Sequence, residues 1–419
     1  MNDKGPKIFP KNFFWGASTA AHQVEGGNYN DWTVWELEHA KEYAQTAHQK
    51  NSHLKNWDKI KHKAENPDNY VSGRGVEHYS KYKEDFDIVK KLNLNSFRFS
   101  IEWARIEPDE GIWNAAEINH YKTYILELRK RNIEPFLNIW HWTMPNWFAE
   151  KGGFTKKKNI SYFERFVKKI ADELLEEVSY VITINEPNVY AAESYLTGQR
   201  PPQKKSPFQF INVYRNIWIA HNRAYKILKI KKPSLKIGVA NQLANMQAKR
   251  PRNFFDEFTT KIMRYFWNWL FLYRIRNYQD FIGINYYFTS YYMGLFKENN
   301  PSFPLNDLGW YMEPEGLYPL LIRAWARFKK PIFITENGLA DDNDEFRRWW
   351  IEETIVAMER AISEGVEISG YLHWSLLDNF EWESGYWPHF GLVSVDRENG
   401  MKRSIRPSAK WFANRIKEL

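Results

Sequence analysis

The stretch "ITINEPNVY", residues 182–190, is an apolar run that ends in an asparagine and Glu186 and is followed at once by a proline. Strands this apolar are usually buried on both faces, as in parallel sheets that are covered by helices. The same arrangement occurs in "PIFITENGL", residues 331–339, where Glu336 ends a predicted strand and an Asn-Gly pair turns the chain. Two carboxylates placed alike at the ends of buried strands need a common explanation.

Short apolar runs with strand character occur eight times along the chain, and segments with helical periodicity lie between them. Eight strands that alternate with helices predict a single (β/α)8 barrel, an α/β fold. The predicted strands lie around Phe14-Trp15 and at residues 96–100, 135–140, 181–185, 236–240, 281–285, 331–335 and 368–374.

The domain organisation follows from the same reading. No internal repeat or low-complexity linker divides the chain, so residues 1–419 are expected to form one barrel domain. Residues 36–76, between predicted strands 1 and 2, are rich in His, Lys, Asn and Glu. We expect this stretch to be a surface excursion at the mouth of the barrel, because it has too few apolar residues for a core of its own.

Catalytic groups of this fold lie on the loops at the C-terminal ends of the strands, whereas side chains within the strands fill the barrel. Glu186 would end strand 4 and Glu336 strand 7, so both would face the same opening. Other polar or aromatic residues fall at equivalent positions: Gln23, Arg98, His141, Asn285, Tyr287 and Trp374. The sequence therefore predicts that these side chains converge on one mouth.

Composition excludes several classes of function. The 419 residues include no cysteine, so disulfides, thiolate metal sites and a cysteine nucleophile are excluded. The formal net charge is +8, but the basic residues are scattered among 51 acids, and we expect no nucleic-acid partner. The N-terminus lacks the apolar core of a signal peptide, and the aromatic run at residues 263–273 is far shorter than a bilayer span of about 20 residues. A cytoplasmic protein without a membrane partner is expected.

Paired carboxylates without a cluster of metal ligands are typical of glycoside hydrolysis, in which one acts as acid and base and the other as nucleophile or base. The separation of the two groups decides between retention and inversion, and the sequence alone leaves both open. The histidines show no ligand spacing such as H-E-x-x-H, so we expect neither a metal nor another cofactor.

Seven motifs, spread in order over nearly the whole chain, resemble the β-glycosidases of glycoside hydrolase family 1. They are "FFWGASTAAHQVEG", "FRFSIEWARIEP", "WHWTMPNWF", "INEP", "GINYY", "ITENG" and "WSLLDNFEW". The resemblance implies the barrel fold and a retaining mechanism through a covalent glycosyl-enzyme intermediate. It also implies a small β-glycoside or oligosaccharide as substrate, with β-glucosidase activity the expected one.

The resemblance assigns roles to the matching residues. Glu186 of "NEP" would be the general acid/base and Glu336 of "TENG" the nucleophile. Arg98, Asn285 and Tyr287 would support the nucleophile. The residues expected to bind the sugar are Gln23, His141, Asn185, Trp374, Glu381 and Trp382.

One departure from the family and several alternatives remain. Asn188 stands where many relatives carry Trp, which changes the wall beyond the cleaved bond. A transglycosylase would share every catalytic residue, and a non-catalytic sugar-binding barrel is the main alternative outside enzymes. A nucleic-acid binder that stacks bases on its aromatic residues is a further one. The sequence does not separate glucose from galactose, fucose or mannose as the preferred sugar.

Overall fold

The computed structural model describes residues 8–298 and 302–419. Within them, eight parallel strands follow one another in chain order around a closed barrel, and the first pairs with both the second and the eighth. The predicted (β/α)8 barrel is therefore confirmed. The strands, named β1 to β8, are Phe14–Ser18, Ser96–Ser100, Glu134–Trp140, Tyr180–Asn185, Lys236–Gln242, Ile282–Tyr286, Ile332–Asn337 and Ile368–Trp374.

Helices cover the outside of the barrel between successive strands. In the helix Ile160–Glu173, four buried residues spaced by three or four positions face the barrel: Phe163, Phe166, Val167 and Ile170. The other long outer helices are His78–Lys91, Ala115–Lys130, Pro207–Lys231, Leu317–Phe328, Arg347–Ser363 and Pro407–Glu418. Between β5 and β6, the α-helices Phe254–Arg264 and Leu270–Ile275 are joined by a π-helical turn, Tyr265–Trp269.

Aromatic rings from opposite sides of the barrel meet in its interior. Phe14 of β1, Phe136 of β3 and Phe333 of β7 lie on strands that are not neighbours, yet their ring centroids are 5.3 to 6.1 Å apart. Further buried members of this cluster are Ile182, Ala240, Phe281 and Leu372. The barrel is thus filled near the start of its strands, which leaves the opposite end for polar groups.

The predicted strands coincide with the observed ones to within a few residues, and those at 96–100 and 368–374 have the same bounds. The predicted positions of the two glutamates at the strand ends need a small correction. Glu336 does not end its strand, because β7 continues to Asn337. Glu186 lies just after β4 in the left-handed conformation, with φ 42°, and precedes the short helix Pro187–Ala192.

Residues 36–76 contain most of the helix Asp31–Asn51, the helix Trp57–Ala64 and a 3-10 turn, Pro67–Tyr70. This segment shares a small apolar cluster with Trp387, a residue that follows β8; the other buried members are Ala47, Leu54, Ile60 and Ala64. The segment is therefore held against the loop after β8 by apolar packing.

Among the described residues, two small sheets lie outside the barrel. One has three strands, Asn245–Ala248, Thr289–Met293 and Phe296–Glu298, and the other pairs Val393–Asp396 with Lys402–Ile405. The first sheet joins the segments that follow β5 and β6. No helix in the described part of the chain combines the length and the apolar composition of a membrane span.

Candidate active site

Glu186 and Glu336 line one pocket, of about 430 Å³, at the C-terminal end of the barrel. Lack of space requires the glycine in the Asn-Gly pair after Glu336. A Cβ atom on Gly338 would lie 1.9 Å from the carbonyl oxygen of Trp374, so only glycine allows the turn to approach β8 this closely. Because both carboxylates line this one pocket, their predicted convergence on one mouth is observed.

Glu336 is held by a cation and by a phenol. Nη1 of Arg98, which is completely buried, donates to Oε1 of Glu336, and the Tyr287 hydroxyl donates to Oε2 over 2.7 Å. A buried guanidinium stabilises the ionised form of its carboxylate partner. Both oxygens of Glu336 are thus oriented by donors.

Glu186 has the opposite environment. Burial, and then the negative charge of Glu336, raise the pKa of its carboxyl to about 8. Nδ2 of Asn285 donates to Oε1 of Glu186 over 2.9 Å. The sequence placed Asn285 among the residues that support the nucleophile. In the structure its amide, which β6 carries, donates to the carboxylate of Glu186.

Asn185 and His141 form a polar network under the pocket. Oδ1 of Asn185 accepts from Nη2 of Arg98 over 2.6 Å and from Asn285 over 3.2 Å. Nδ2 of Asn185 donates to Nε2 of His141 over 3.0 Å. Burial and the charge of Arg98 hold the pKa of His141 well below its usual range, so the imidazole is neutral.

Gln23 and Glu381 keep unpaired oxygens. Nε2 of Gln23 donates to the carbonyl of Phe380 over 2.8 Å, whereas its Oε1 has no partner among the described residues. Oε2 of Glu381, which lines the pocket, likewise has none there. Burial, and then the charge of Glu383, raise the pKa of Glu381 to about 8. Both side chains retain capacity for hydrogen bonds to a ligand.

Three of the indole rings that line the pocket, those of Trp142, Trp374 and Trp382, lie close to His141. Trp374 and Trp382 both lie nearly parallel to the His141 ring, with centroids 6.1 and 6.0 Å away. The Trp142 and Trp382 centroids are 4.6 Å apart, and Nε1 of Trp142 donates to the carbonyl of Asn185 over 3.0 Å. Trp142 was not among the predicted site residues, although it lies within the "WHWTMPNWF" motif.

A partly buried ion pair on the pocket wall was missed as well. Arg200 donates from Nε and Nη2 to the two carboxylate oxygens of Glu383, over 2.8 and 2.9 Å, and its guanidinium lies 4.6 Å from the Trp142 ring centroid. Arg200 lies on the loop that follows the π-helical turn after β4, where periodicity carries no signal. Glu383 lies two residues after Glu381 and could have been found by its position.

The wall beyond Glu186 is built from the end of β5 and the segment that follows it. Asn188 donates from Nδ2 to the carbonyls of Gln242 and Trp267, over 2.8 and 3.3 Å, and the Trp267 indole donates to Oε1 of Gln242. Gln242 and Trp267 both line the pocket. The departure noted at Asn188 therefore fixes the π-helical turn that presents Trp267.

Within residues 8–298 and 302–419, no three His, Asp or Glu side chains gather in the way that a metal site requires. The model of glycosyl hydrolase family 1 matches residues 6–272 and 271–418. The chain belongs to glycosyl hydrolase family 1. It is therefore a glycosidase, with the fold and the paired carboxylates of that family.

Relatives of known structure and name agree with this assignment. The chain is similar to a 1,4-β-D-glucan glucohydrolase of Thermotoga neapolitana, at 30% identity with 98% of each chain covered. A β-galactosidase of Sulfolobus acidocaldarius is 30% identical, with 93% of this chain and 91% of that protein covered. The solved β-glycosidase of Pyrococcus horikoshii superposes with a TM-score of 0.86 at 32% identity, covering 98% of this chain and 95% of its own.

Proposed function

We propose that this family 1 enzyme is a retaining β-glycosidase that hydrolyses terminal β-D-glucosidic bonds, with Glu336 as nucleophile and Glu186 as acid/base. One observation carries the proposal. Arg98 and Tyr287 hold Glu336 as an oriented carboxylate, while burial in the same pocket raises the pKa of Glu186. Two identical residues thus have the different environments that the two proposed roles require.

In the first step, an oxygen of Glu336 attacks the anomeric carbon, and the bond from that carbon to the glycosidic oxygen breaks. Glu186 gives its proton to the departing oxygen, so that the leaving group departs as a neutral alcohol. Arg98 and Tyr287 orient Glu336 for the attack and hold its oxygens in place.

In the second step, a water molecule attacks the anomeric carbon and the ester bond to Glu336 breaks. Glu336 carries no charge while it is esterified, so the electrostatic contribution that raised the pKa of Glu186 is absent. Glu186, which lost its proton in the first step, can then accept one from the water. The free sugar and both carboxyl groups in their starting states are recovered.

The expected substrate is a sugar with free hydroxyls. The unpaired oxygens of Gln23 and Glu381 are suited to accept hydrogen bonds from hydroxyl groups. A volume of about 430 Å³ lies in the range of small-molecule sites, roughly 300 to 1,000 Å³. The names of the relatives, a glucan glucohydrolase and a β-galactosidase, support a β-glucoside or β-galactoside.

Proton NMR of the first-formed sugar tests the mechanism. Hydrolysis of a nitrophenyl β-glucoside should release the β-anomer first, with the α-anomer appearing later by mutarotation. An initial α-anomer would overturn the assignment of Glu336 as nucleophile.

Initial rates on a panel of nitrophenyl β-glycosides test the sugar preference. The β-glucoside should have the highest kcat/KM, followed by the β-galactoside. A β-mannoside or β-fucoside that exceeded the β-glucoside would overturn the proposed specificity and leave the retaining mechanism intact.

A further inference from the structure

The helix Phe254–Arg264 has its polar face inside and its apolar face outside. Its buried residues are Asp256, Thr259 and Thr260. The outward face of this helix and the π-helical turn after it carries six large apolar side chains that are 40 to 82% exposed: Phe254, Phe255, Phe258, Ile262, Tyr265 and Phe266. Most amphipathic helices of a globular protein bury the apolar face instead.

Specific hydrogen bonds hold the helix in this orientation. The Asp256 carboxylate accepts from Arg250 over 2.7 and 3.0 Å and from the backbone N–H of Gly294 over 2.9 Å. Oγ1 of Thr259 donates to the carbonyl of Gly294 over 2.9 Å. Rotating the helix to bury its rings would break these bonds, so the outward apolar face is a built feature.

The hairpin that contacts this helix extends the apolar surface. The strands Thr289–Met293 and Phe296–Glu298 flank Gly294, whose φ is +60°. A Cβ atom there would lie 2.9 Å from the Phe255 ring, so the ring packs directly on the turn. The hairpin adds three exposed side chains, Met293, Leu295 and Phe296, which are 38, 68 and 75% exposed. These three and the six of the helical face are named the apolar patch.

The apolar patch adjoins the mouth of the active-site pocket. Trp267, which follows Phe266, and Lys297, which follows Phe296, both line the pocket that contains the two catalytic glutamates. The two elements that carry the patch therefore also supply one side chain each to the pocket wall.

The charge around the patch is positive. Residues 249–264 contain five Lys or Arg and two acids, and one of these acids, Asp256, is paired with Arg250. An aromatic and aliphatic face bordered by cations is typical of helices that lie in the interface of an anionic bilayer. A symmetric contact with a second copy would instead bring this basic border against itself.

We infer that the apolar patch binds the surface of an anionic lipid bilayer and holds the pocket mouth there, so that the enzyme acts on β-glycosides with a lipid-like aglycone. The binding to the bilayer stands alone, whereas the action on lipid-like glycosides rests on the proposed glycosidase function. The proposed binding replaces the expectation from the sequence that the protein has no membrane partner. That expectation considered only a membrane span, whereas an interfacial helix needs no such length.

Co-sedimentation with vesicles tests the binding. The full chain should sediment with vesicles of equal parts phosphatidylcholine and phosphatidylglycerol, and much less with phosphatidylcholine alone. Phe254→Ser, Phe258→Ser and Phe296→Ser together should weaken binding by about a thousandfold, since each ring contributes roughly a factor of ten. A matched triple variant changes three exposed apolar residues on other outer helices to serine and should bind like wild type: Leu126, Ile230 and Val356.

Three results would overturn the binding half: wild type that stays in the supernatant, equal binding to neutral vesicles, or a patch variant that binds like wild type. Sedimentation velocity tests the alternative that a second copy of the chain covers the apolar patch. A dimer that the patch variant dissociates, without vesicle binding, would assign the patch to a second copy of the chain.

Hydrolysis of a membrane-bound glucoside tests whether the patch brings the pocket to substrates in the bilayer. Wild type should hydrolyse dodecyl β-glucoside in the same vesicles at least tenfold faster than the patch variant, while both hydrolyse a dissolved nitrophenyl β-glucoside equally. Equal rates on the vesicles would overturn the delivery of substrates from the bilayer. Absence of activity on the nitrophenyl substrate would instead overturn the proposed function and leave the vesicle-binding result unaffected.

Discussion

Asn285 donates a hydrogen bond of 2.9 Å to Oε1 of Glu186, the residue proposed to protonate the leaving group. The orientation of this amide is fixed, because its oxygen accepts from the Thr335 hydroxyl over 2.6 Å. A donor that points at a carboxylate stabilises the ionised form and therefore lowers the pKa. Burial, which raises the pKa of Glu186, is thus partly offset by Asn285.

Replacing Asn285 by alanine should move the alkaline limb of the pH profile of kcat/KM to higher pH. In its proposed role as the acid, Glu186 acts in its protonated form, so activity should fall as the pH rises through its pKa. Removing the donor to the ionised form raises that pKa. Thr335→Val, which leaves the amide in place but releases its oxygen, should give a smaller shift in the same direction. A limb that stays in place or moves to lower pH would contradict the role of Asn285.

Glu336→Gln should lower the pKa of Glu186. Burial is the largest cause of the raised pKa and remains in the variant, but the repulsion by the Glu336 charge is removed. The ionised form of Glu186 then becomes easier to reach, as is expected in the proposed glycosyl-enzyme intermediate. Carbon-13 NMR of glutamate-labelled protein, compared with Glu186→Gln to assign the signal, measures the titration. An unchanged or higher pKa would show that the two carboxylates are not coupled.

The fold could be predicted from the sequence because hydrophobic periodicity and strand order are local signals. Eight apolar runs separated by helical segments suffice to indicate the barrel, and its geometry then directs all strand ends to one mouth. The hydrogen bond from Asn285 to Glu186 could not be predicted from the sequence, for a physical reason. The motif fixes the strand that carries the amide, but the choice between two nearby carboxylates depends on packing around Thr335.

Loop residues were harder to predict than residues at strand ends. Arg200 and Trp267 reach the pocket from π-helical turns or the loops after them, where neither periodicity nor strand position carries a signal. The helix Phe254–Arg264 shows a further limit. Its periodicity predicts an apolar face, but the sequence pattern does not reveal that the Asp256 and Thr259 hydrogen bonds turn that face outward.

Glu186→Ala should show a loss that depends on the leaving group. Turnover of an alkyl β-glucoside should fall by about 10² to 10⁴-fold, the usual contribution of general acid catalysis, whereas cleavage of a dinitrophenyl glucoside needs little protonation and should be nearly spared. Azide should accelerate the variant on the activated substrate and give a glycosyl azide. Glu193→Ala, a change to another carboxylate of the pocket wall, serves as the control. Equal losses on both substrates for Glu186→Ala would contradict the acid role.

Asp85→Asn should destabilise the fold at neutral pH. The completely buried Asp85 accepts from Arg403 over 2.8 and 3.0 Å and lies 2.8 Å from Nδ1 of His78. Burial raises the pKa of Asp85, but these two partners outweigh it and the net pKa is lowered. Leaving Arg403 buried without its partner should cost about 3 to 5 kcal/mol.

The sign of the pH dependence checks this ion pair. A carboxyl whose pKa is lower in the folded state stabilises the fold at pH values above its unfolded-state pKa, about 3.9 for Asp. This stabilisation is lost as the pH falls through the folded-state pKa. The difference in melting temperature between wild type and Asp85→Asn should therefore be large at pH 7 and shrink below about pH 4. Asp58→Asn, in an exposed pair with Lys61, should change little at either pH. A difference that stayed constant with pH would contradict the assignment to Asp85.

Trp267→Ala should weaken the enzyme selectively against large aglycones. The ring lies on the wall beyond Glu186, held by its bond to Gln242 and by the Asn188 amide on its carbonyl. Losing an aromatic contact worth about 1.4 kcal/mol should reduce kcat/KM on aryl and alkyl glucosides about tenfold, while methyl β-glucoside, which does not reach the ring, keeps its value. Trp349→Ala, at a half-exposed position on the outer helix Arg347–Ser363, controls for the loss of a tryptophan. Equal losses on methyl and aryl glucosides would show that Trp267 supports the catalytic centre and is not a contact for the leaving group.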